Sequence, residues 1–232
     1  MRKASIILAF LIFSLPSASQ AGCAADQHGG LVCGAGNDAV RVFAATTSPS
    51  KKLAFGWRTP TGLPSGRDMP SVNIENVLIR LDDGAVLAKL GGEFWETGEM
   101  IANRYDQIAA WAPDSRAVVE VANSRWDSDS FAYYAIDGDN VTKLDLRALV
   151  EPALKAKLPA SRREGLSFRV REEEELPVRL DTRGHLTCTV MLYVPKQEPI
   201  QNFAVSVEIG RKAGKPVARI ASIRRVKVDP RL

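Results

Sequence analysis

Only two histidines, His28 and His185, occur in 232 residues, so general-base chemistry has little material here. The G-x-S-x-G segment that a hydrolase of the nucleophile-elbow type requires is absent. Three cysteines, Cys23, Cys33 and Cys188, contain no C-x-x-C pair, and the histidines stand far apart, which argues against zinc. No apolar run approaches the ~20 residues of a membrane-spanning helix; the longest, "ASIILAFLIFSL", covers about a dozen. With these shortages no catalytic residue, no cofactor and no metal ligand is expected.

What is present starts with an export pattern. Arg2 and Lys3 precede that apolar run, and Pro16 with "SASQA" supplies small residues for cleavage after Ala21. Residues 1–21 are therefore expected to be a signal peptide, leaving 211 residues for a periplasmic or extracellular protein with no transmembrane helix. Losing Arg2 and Lys3 lowers the formal net charge from +4 to +2, a weak basis for a nucleic-acid partner, and none is expected. In an oxidising compartment Cys23 and Cys33 could close "CAADQHGGLVC" as a disulfide; two free thiols are the alternative, and a lipid on Cys23 is a further one. Cys188, in "LTCTVMLYV", reads as a buried strand residue, with Met191 in the same core.

Most of the body alternates as strands do. "AVRVFAATT" and "KKLAFGWRT" flank Ser-Pro-Ser as a hairpin, and Asp83-Gly84 divides "ENVLIRLDDGAVLAKLGG" into a second. "QIAAWAPDSRAVVEVAN" and "SFAYYAIDGDNVTKLDL" each contribute two further strands. Over residues 145–158 the period changes: Leu146, Leu149, Val150, Ala153, Leu154 and Leu158 share a helical face, Asp145 is placed to cap, and Pro152 predicts a kink or division. Strands then return as an antiparallel meander with turns at Arg183-Gly184, Pro195 to Pro199, and Ala213-Gly214. The expected organisation is a β region over residues 22–145 and a helix with its meander over 146–232.

"TTSPSKKLAFGW" and "AWAPDSRAVVEV" share a turn whose prolines, Pro49 and Pro113, lie 64 residues apart. The second copy resembles the W-S-P-D-[GS]-[KR] turn of TolB-type β-propeller repeats, and residues 130–146 resemble the strand pair that follows it in such a blade. The first copy departs from that pattern, with Thr47 and Ser50 in place of the tryptophan and the aspartate. The resemblance spans residues 46–146 and implies propeller-like sheets, with Trp111 packed between neighbours and recognition rather than chemistry as the function. The fold class expected is mainly β: antiparallel propeller-like sheets or an irregular β-sandwich, with one short kinked helix near 146–158.

Candidate sites are few. "WDSDS" (126–130) and "DGDN" (137–140) are acidic enough to suggest a cation site, but neither has the spacing of a calcium loop and turn formation accounts for both. Glu172 to Glu175 read as a solvated edge. Trp95 and Trp126 stand in polar loop contexts and are candidates for an interaction surface, with loops 59–73 and 92–106 as its variable parts. Residues 211–232 carry eight basic side chains, Arg224 and Arg225 among them, against the single acid Asp229. The leading expectation is an exported, non-enzymatic binding module of the cell envelope, with an envelope protein or a glycan as partner. The alternatives are a hydrolase using Asp181 and His185, or a protein that binds an anionic lipid or polysaccharide surface through the basic C-terminal strand.

Overall fold

The computed structural model describes residues 22–26, 29–64, 73–97, 100–103, 105–173, 176–194 and 201–227. The expected signal peptide, His28, the tip of loop 59–73 and the Pro195–Pro199 turn lie outside the described residues. Among the described residues the chain is mainly β, in three antiparallel sheets and one small hairpin. The first sheet runs β1 (Cys23–Ala25), β2 (Leu31–Cys33), β3 (Val40–Val42), β4 (Leu53–Arg58), β5 (Glu75–Arg80) and β6 (Val86–Lys89), each paired with the next. A small hairpin of β7 (Glu96–Thr97) and β8 (Met100–Ile101) precedes the second sheet. That sheet is a four-stranded meander of β9 (Asp106–Trp111), β10 (Ala117–Asn123), β11 (Ser128–Asp137) and β12 (Asn140–Asp145). After helix α1 (Arg147–Lys155), the third sheet holds β13 (Ser167–Arg171), β14 (Arg179–Leu180), β15 (His185–Tyr193), β16 (Gln201–Lys212) and β17 (Lys215–Val226). Both β13 and β14 pair with β15 over different stretches, so they act as one interrupted edge strand.

The sheets stack, with the second in the middle. Val118, Ala132, Tyr134 and Ile136 face Phe55, Trp57 and Leu78 of the first sheet. Val119, Val121, Phe131 and Tyr133, one position out of phase, face the helix and Phe168, Leu186, Val190 and Val205 of the third. Burial on both faces explains why "AVVEVAN" and "FAYYAI" read as nearly continuous apolar runs instead of alternating ones. Among the described residues the sheets form no closed ring.

The two related turns have one hydrogen-bond pattern. Ser48 N–H donates to the Leu53 carbonyl at 2.8 Å and Lys51 N–H to that of Ser48 at 2.9 Å; Ala112 to Ala117 and Ser115 to Ala112 repeat this at 2.9 Å each. Lys51 and Ser115 occupy the same left-handed position, with φ of 58° and 60°. Asp114 Oδ1 accepts the Arg116 N–H at 3.0 Å, closing the second turn through its own backbone. Trp111 lies between the first and second sheets, its ring 6.0 Å from that of Phe55 and its Nε1 donating to the Thr46 carbonyl at 2.7 Å.

Helix α1 buries Leu146, Val150, Leu154 and, just past its end, Leu158 in the larger core. Asp145 Oδ1 accepts the Ala148 N–H at 3.0 Å, the capping bond its position predicts. Pro152 lies inside a helix that continues to Lys155, so the element is carried through as one piece; the expected last turn to residue 158 is non-helical. Cys188 is buried as expected, but Met191, three residues on in the same strand, points to the opposite face, because strand side chains alternate.

Candidate functional site

Alternation along β15 sends Leu186, Cys188, Val190 and Leu192 into the core and His185, Thr187, Thr189 and Met191 to the outer face of the third sheet. The register then aligns these with their neighbours. Arg179, Thr187, Ser206 and Ser222 form one row across four strands, and Arg171, Thr189, Ala204 and Arg224 form the next. Between β14 and β17 the rows make the floor of a shallow cleft of about 320 Å³, with Leu176 and Pro177 as a low wall.

The charges on this face divide into two groups. Arg169 pairs with Asp106, Arg171 with Glu173, and Arg219 with Glu208. Arg179 and Arg224 form no ion pair among the described residues, and both are exposed. Arg225, the neighbour of Arg224, lies opposite the buried Phe203 and so belongs to the other side of β17. The basic segment is thus split by the pleat, with one of its two central arginines on the cleft.

Trp126 is 38% exposed, with the Arg125 guanidinium 4.5 Å from its ring centre. Its carbonyl accepts the Tyr193 hydroxyl at 2.6 Å, and Arg169 donates to the neighbouring Ser124 carbonyl, which fixes this loop at the rim of the same outer face. Trp95 stands elsewhere: its ring packs 6.4 Å from Trp57 in the core between the first two sheets. The segment that carries it is held by Asn76, which exchanges bonds with the Phe94 backbone at 2.6 and 2.9 Å.

Cys23 and Cys33 form a disulfide, which leaves the Cys23 sulfur unable to carry a thioether-linked lipid. Burial pushes the Cys188 thiol up to about 12, aided by the nearby Glu172 charge, so it stays protonated at neutral pH. Of the acidic run, Glu172 is exposed as a residue, but its carboxyl is raised by partial desolvation and accepts the Val178 N–H at 2.6 Å, while Glu173 grips Arg171.

His185 Nε2 and Ser206 Oγ share a hydrogen bond of 2.7 Å. A hydroxyl beside an imidazole is half of a nucleophile–base arrangement, and a carboxylate orienting the ring is the other half. Asp181 instead accepts the backbone N–H groups of Arg183 and His185 at 2.8 and 2.9 Å, which closes the turn and holds its carboxyl below the usual range. Asp127 of "WDSDS" pairs with Arg147 and accepts the Phe168 N–H at 2.9 Å, tying the second sheet to the helix and the third sheet. Asp139 of "DGDN" pairs with Arg80. Among the described residues no group of three or more His, Cys, Asp and Glu is placed to hold a metal.

A second cleft, about 450 Å³, lies at the ends of β4 and β5. Three of its charges satisfy one another, Glu75 meeting Arg58 at 2.6 Å and Lys89 at 3.0 Å, with Lys89 the main cause of its lowered pKa; Asp38 and Glu93, also in the lining, form no ion pair among the described residues. The cleft on the third sheet differs in that its unpaired charges, Arg179 and Arg224, are both basic. Sequence reasoning found Arg224 and Trp126 but not Arg179 or the hydroxyl row. The alternation of "HLTCTV" marks Thr187 and Thr189 as outward, whereas their alignment with Ser206, Ser222 and Arg179 depends on strand register.

No protein-family model matches the chain, and no curated protein matches it.

Proposed function

We propose that this is an exported binding module of the cell envelope, non-enzymatic, built on propeller-like sheets and recognising its partner through the outer face of the third sheet. The observation that carries the reading is the pair Arg179 and Arg224, unpartnered among the described residues, on either side of a floor of Thr187, Ser206 and Ser222. Export is supported by the charged, apolar and small-residue order of the first 21 residues and by the Cys23–Cys33 disulfide. Among the described residues no helix is long and apolar enough to cross a membrane. The matched turns at Pro49 and Pro113, in direct contact, support the propeller-like reading of the first two sheets.

The test has two parts. The mass of the mature protein from cells should correspond to a chain that starts at Gly22. Purified mature protein should then co-sediment with isolated envelope fragments, and the double variant Arg179→Gln/Arg224→Gln should lose most of that retention. An intact Met1, or retention indifferent to both arginines, overturns the proposal.

A further inference from the structure

We propose that the cleft on the third sheet binds an acidic polysaccharide, Arg179 and Arg224 holding its carboxylates while Thr187, Ser206 and Ser222 bond its hydroxyls. The inference rests on the binding-module reading above and names the ligand class of that same face. Three observations converge on it.

The first is spacing. Arg179 and Arg224 lie three strand steps and two residues apart, so their backbones are separated by about 16 Å at ordinary sheet dimensions. At that spacing each guanidinium can take its own carboxylate on a chain with repeated charges.

The second is the floor. Its hydroxyls both donate and accept, which suits ring hydroxyls, and guanidinium groups meet carboxylates through two parallel bonds. The Leu176–Pro177 wall offers an apolar surface on which the C–H face of a sugar can lie.

The third distinguishes a glycan from a membrane. The exposed large apolar residues among those described are Val86, Ile101, Trp126 and Val217, and of these only Val217 stands on the strands of this face. A lipid-binding surface combines basic charge with apolar groups that insert, and this face has the charge with almost nothing to insert.

The experiment is calorimetry of the mature protein with polygalacturonate, with neutral dextran and phosphatidylglycerol vesicles as comparison probes. Binding to polygalacturonate that weakens with salt is expected, with about a fivefold loss for Arg179→Gln and for Arg224→Gln singly. Arg225→Gln removes the same charge from the other side of the strand and should change affinity less than twofold. Ser206→Val with Ser222→Val leaves every charge in place and should still weaken binding severalfold, a loss that adsorption by charge alone does not produce.

Equal losses for Arg224→Gln and Arg225→Gln would reduce the effect to net charge and overturn the inference. Equal or stronger binding to the vesicles would replace the glycan with a membrane and also overturn it. No binding to polygalacturonate, with arginine-dependent retention on envelope fragments intact, removes the ligand class and leaves the binding module; loss of both removes both.

Discussion

The backbone N–H of Ser50 donates to Ser115 Oγ at 2.9 Å, joining the turns of two successive sheets across 65 positions of sequence. Ser115 occupies in its turn the left-handed position that Lys51 occupies in the other. The internal similarity is therefore also a contact: each turn packs against its counterpart, and Trp111 Nε1 on the Thr46 carbonyl repeats the link beside it.

The two left-handed residues should respond differently to glycine. A non-glycine residue with φ near +60° carries a conformational penalty of about 1 kcal/mol, and Lys51 is exposed there with φ 58°. Lys51→Gly should leave thermal stability unchanged or raise it slightly. Ser115→Gly relieves the same strain but removes the acceptor of the Ser50 N–H, so its melting temperature should fall below that of Lys51→Gly. Equal melting temperatures would mean that the Ser50–Ser115 bond contributes nothing.

Glu120 is fully buried in an inner strand of the middle sheet and meets donors only. Its Oε1 accepts from the Gly91 N–H at 2.6 Å and Gln107 Nε2 at 3.2 Å; its Oε2 accepts from Ser130 Oγ at 3.0 Å and Tyr134 OH at 2.9 Å. Burial, with the Glu120 charge beside it, holds the Tyr134 hydroxyl far above its ordinary range, so it remains a donor. Glu120→Gln keeps an acceptor for the Gly91 N–H but sets its NH2 against two hydroxyls that must turn from donating to accepting, and should destabilise by about 1 kcal/mol despite its matching shape. Glu120→Ala, which also opens a cavity, should cost about 3 kcal/mol or more. At about 2–4 °C of melting temperature per kcal/mol for a domain of this size, denaturation scans resolve both.

The disulfide should be visible by counting thiols. Unfolded but unreduced protein is expected to titrate one thiol, Cys188, and reduced protein three. Cross-linking residues ten apart stabilises by at most about 3 kcal/mol in the chain-entropy account. Cys23→Ser should therefore lower stability modestly and speed hydrogen exchange chiefly in β1 and β2. Three thiols without reductant would refute the bond.

The Glu96 carboxyl is raised by burial, with Arg41 opposing the shift. A carboxyl whose folded pKa lies above its unfolded value contributes stability below the unfolded pKa, near 4.3, and loses it as pH rises through the folded one. The stability of Glu96→Gln relative to the parent should therefore increase between pH 4 and pH 7. A flat difference across that range would contradict the burial of the charge.

The tryptophans should separate structure from surface. Trp95→Ala removes the ring tilted against Trp57 and is expected to destabilise by about 2 kcal/mol. Trp126→Ala, at the rim of the third sheet, should stay within about 0.5 kcal/mol of the parent. Both are read from urea titrations, and a large loss for Trp126→Ala would make that residue a structural one.

The close approach of the first two sheets belongs to the part that sequence does not express. Gly91 and Gly92 read as an ordinary turn, yet a Cβ on Gly92 would come within 2.7 Å of the Ala122 side chain, and one on Gly91 would collide with Ser130. These glycines are needed by neighbours thirty and thirty-nine residues away in the chain, and no local pattern announces a steric limit of that kind. Asp127 is similar: within "WDSDS" it looks like one acid among several, while its partners Arg147 and Phe168 come from the helix and the third sheet.

Local patterns determined the hairpins at residues 48–53, 80–85, 112–117 and 137–140 and the helical face from Leu146 to Leu154, and left the Cys23–Cys33 bond as one of several choices, because turn chemistry, side-chain period and loop length act over a few residues. Tertiary structure alone decided which sheet lies in the middle, that Trp95 faces a core while Trp126 faces solvent, and that Arg179 and Arg224 flank one row of hydroxyls while Arg225 does not. Those outcomes depend on strand register and on the order of stacking, where a shift of one residue exchanges the two faces of a strand without altering its composition.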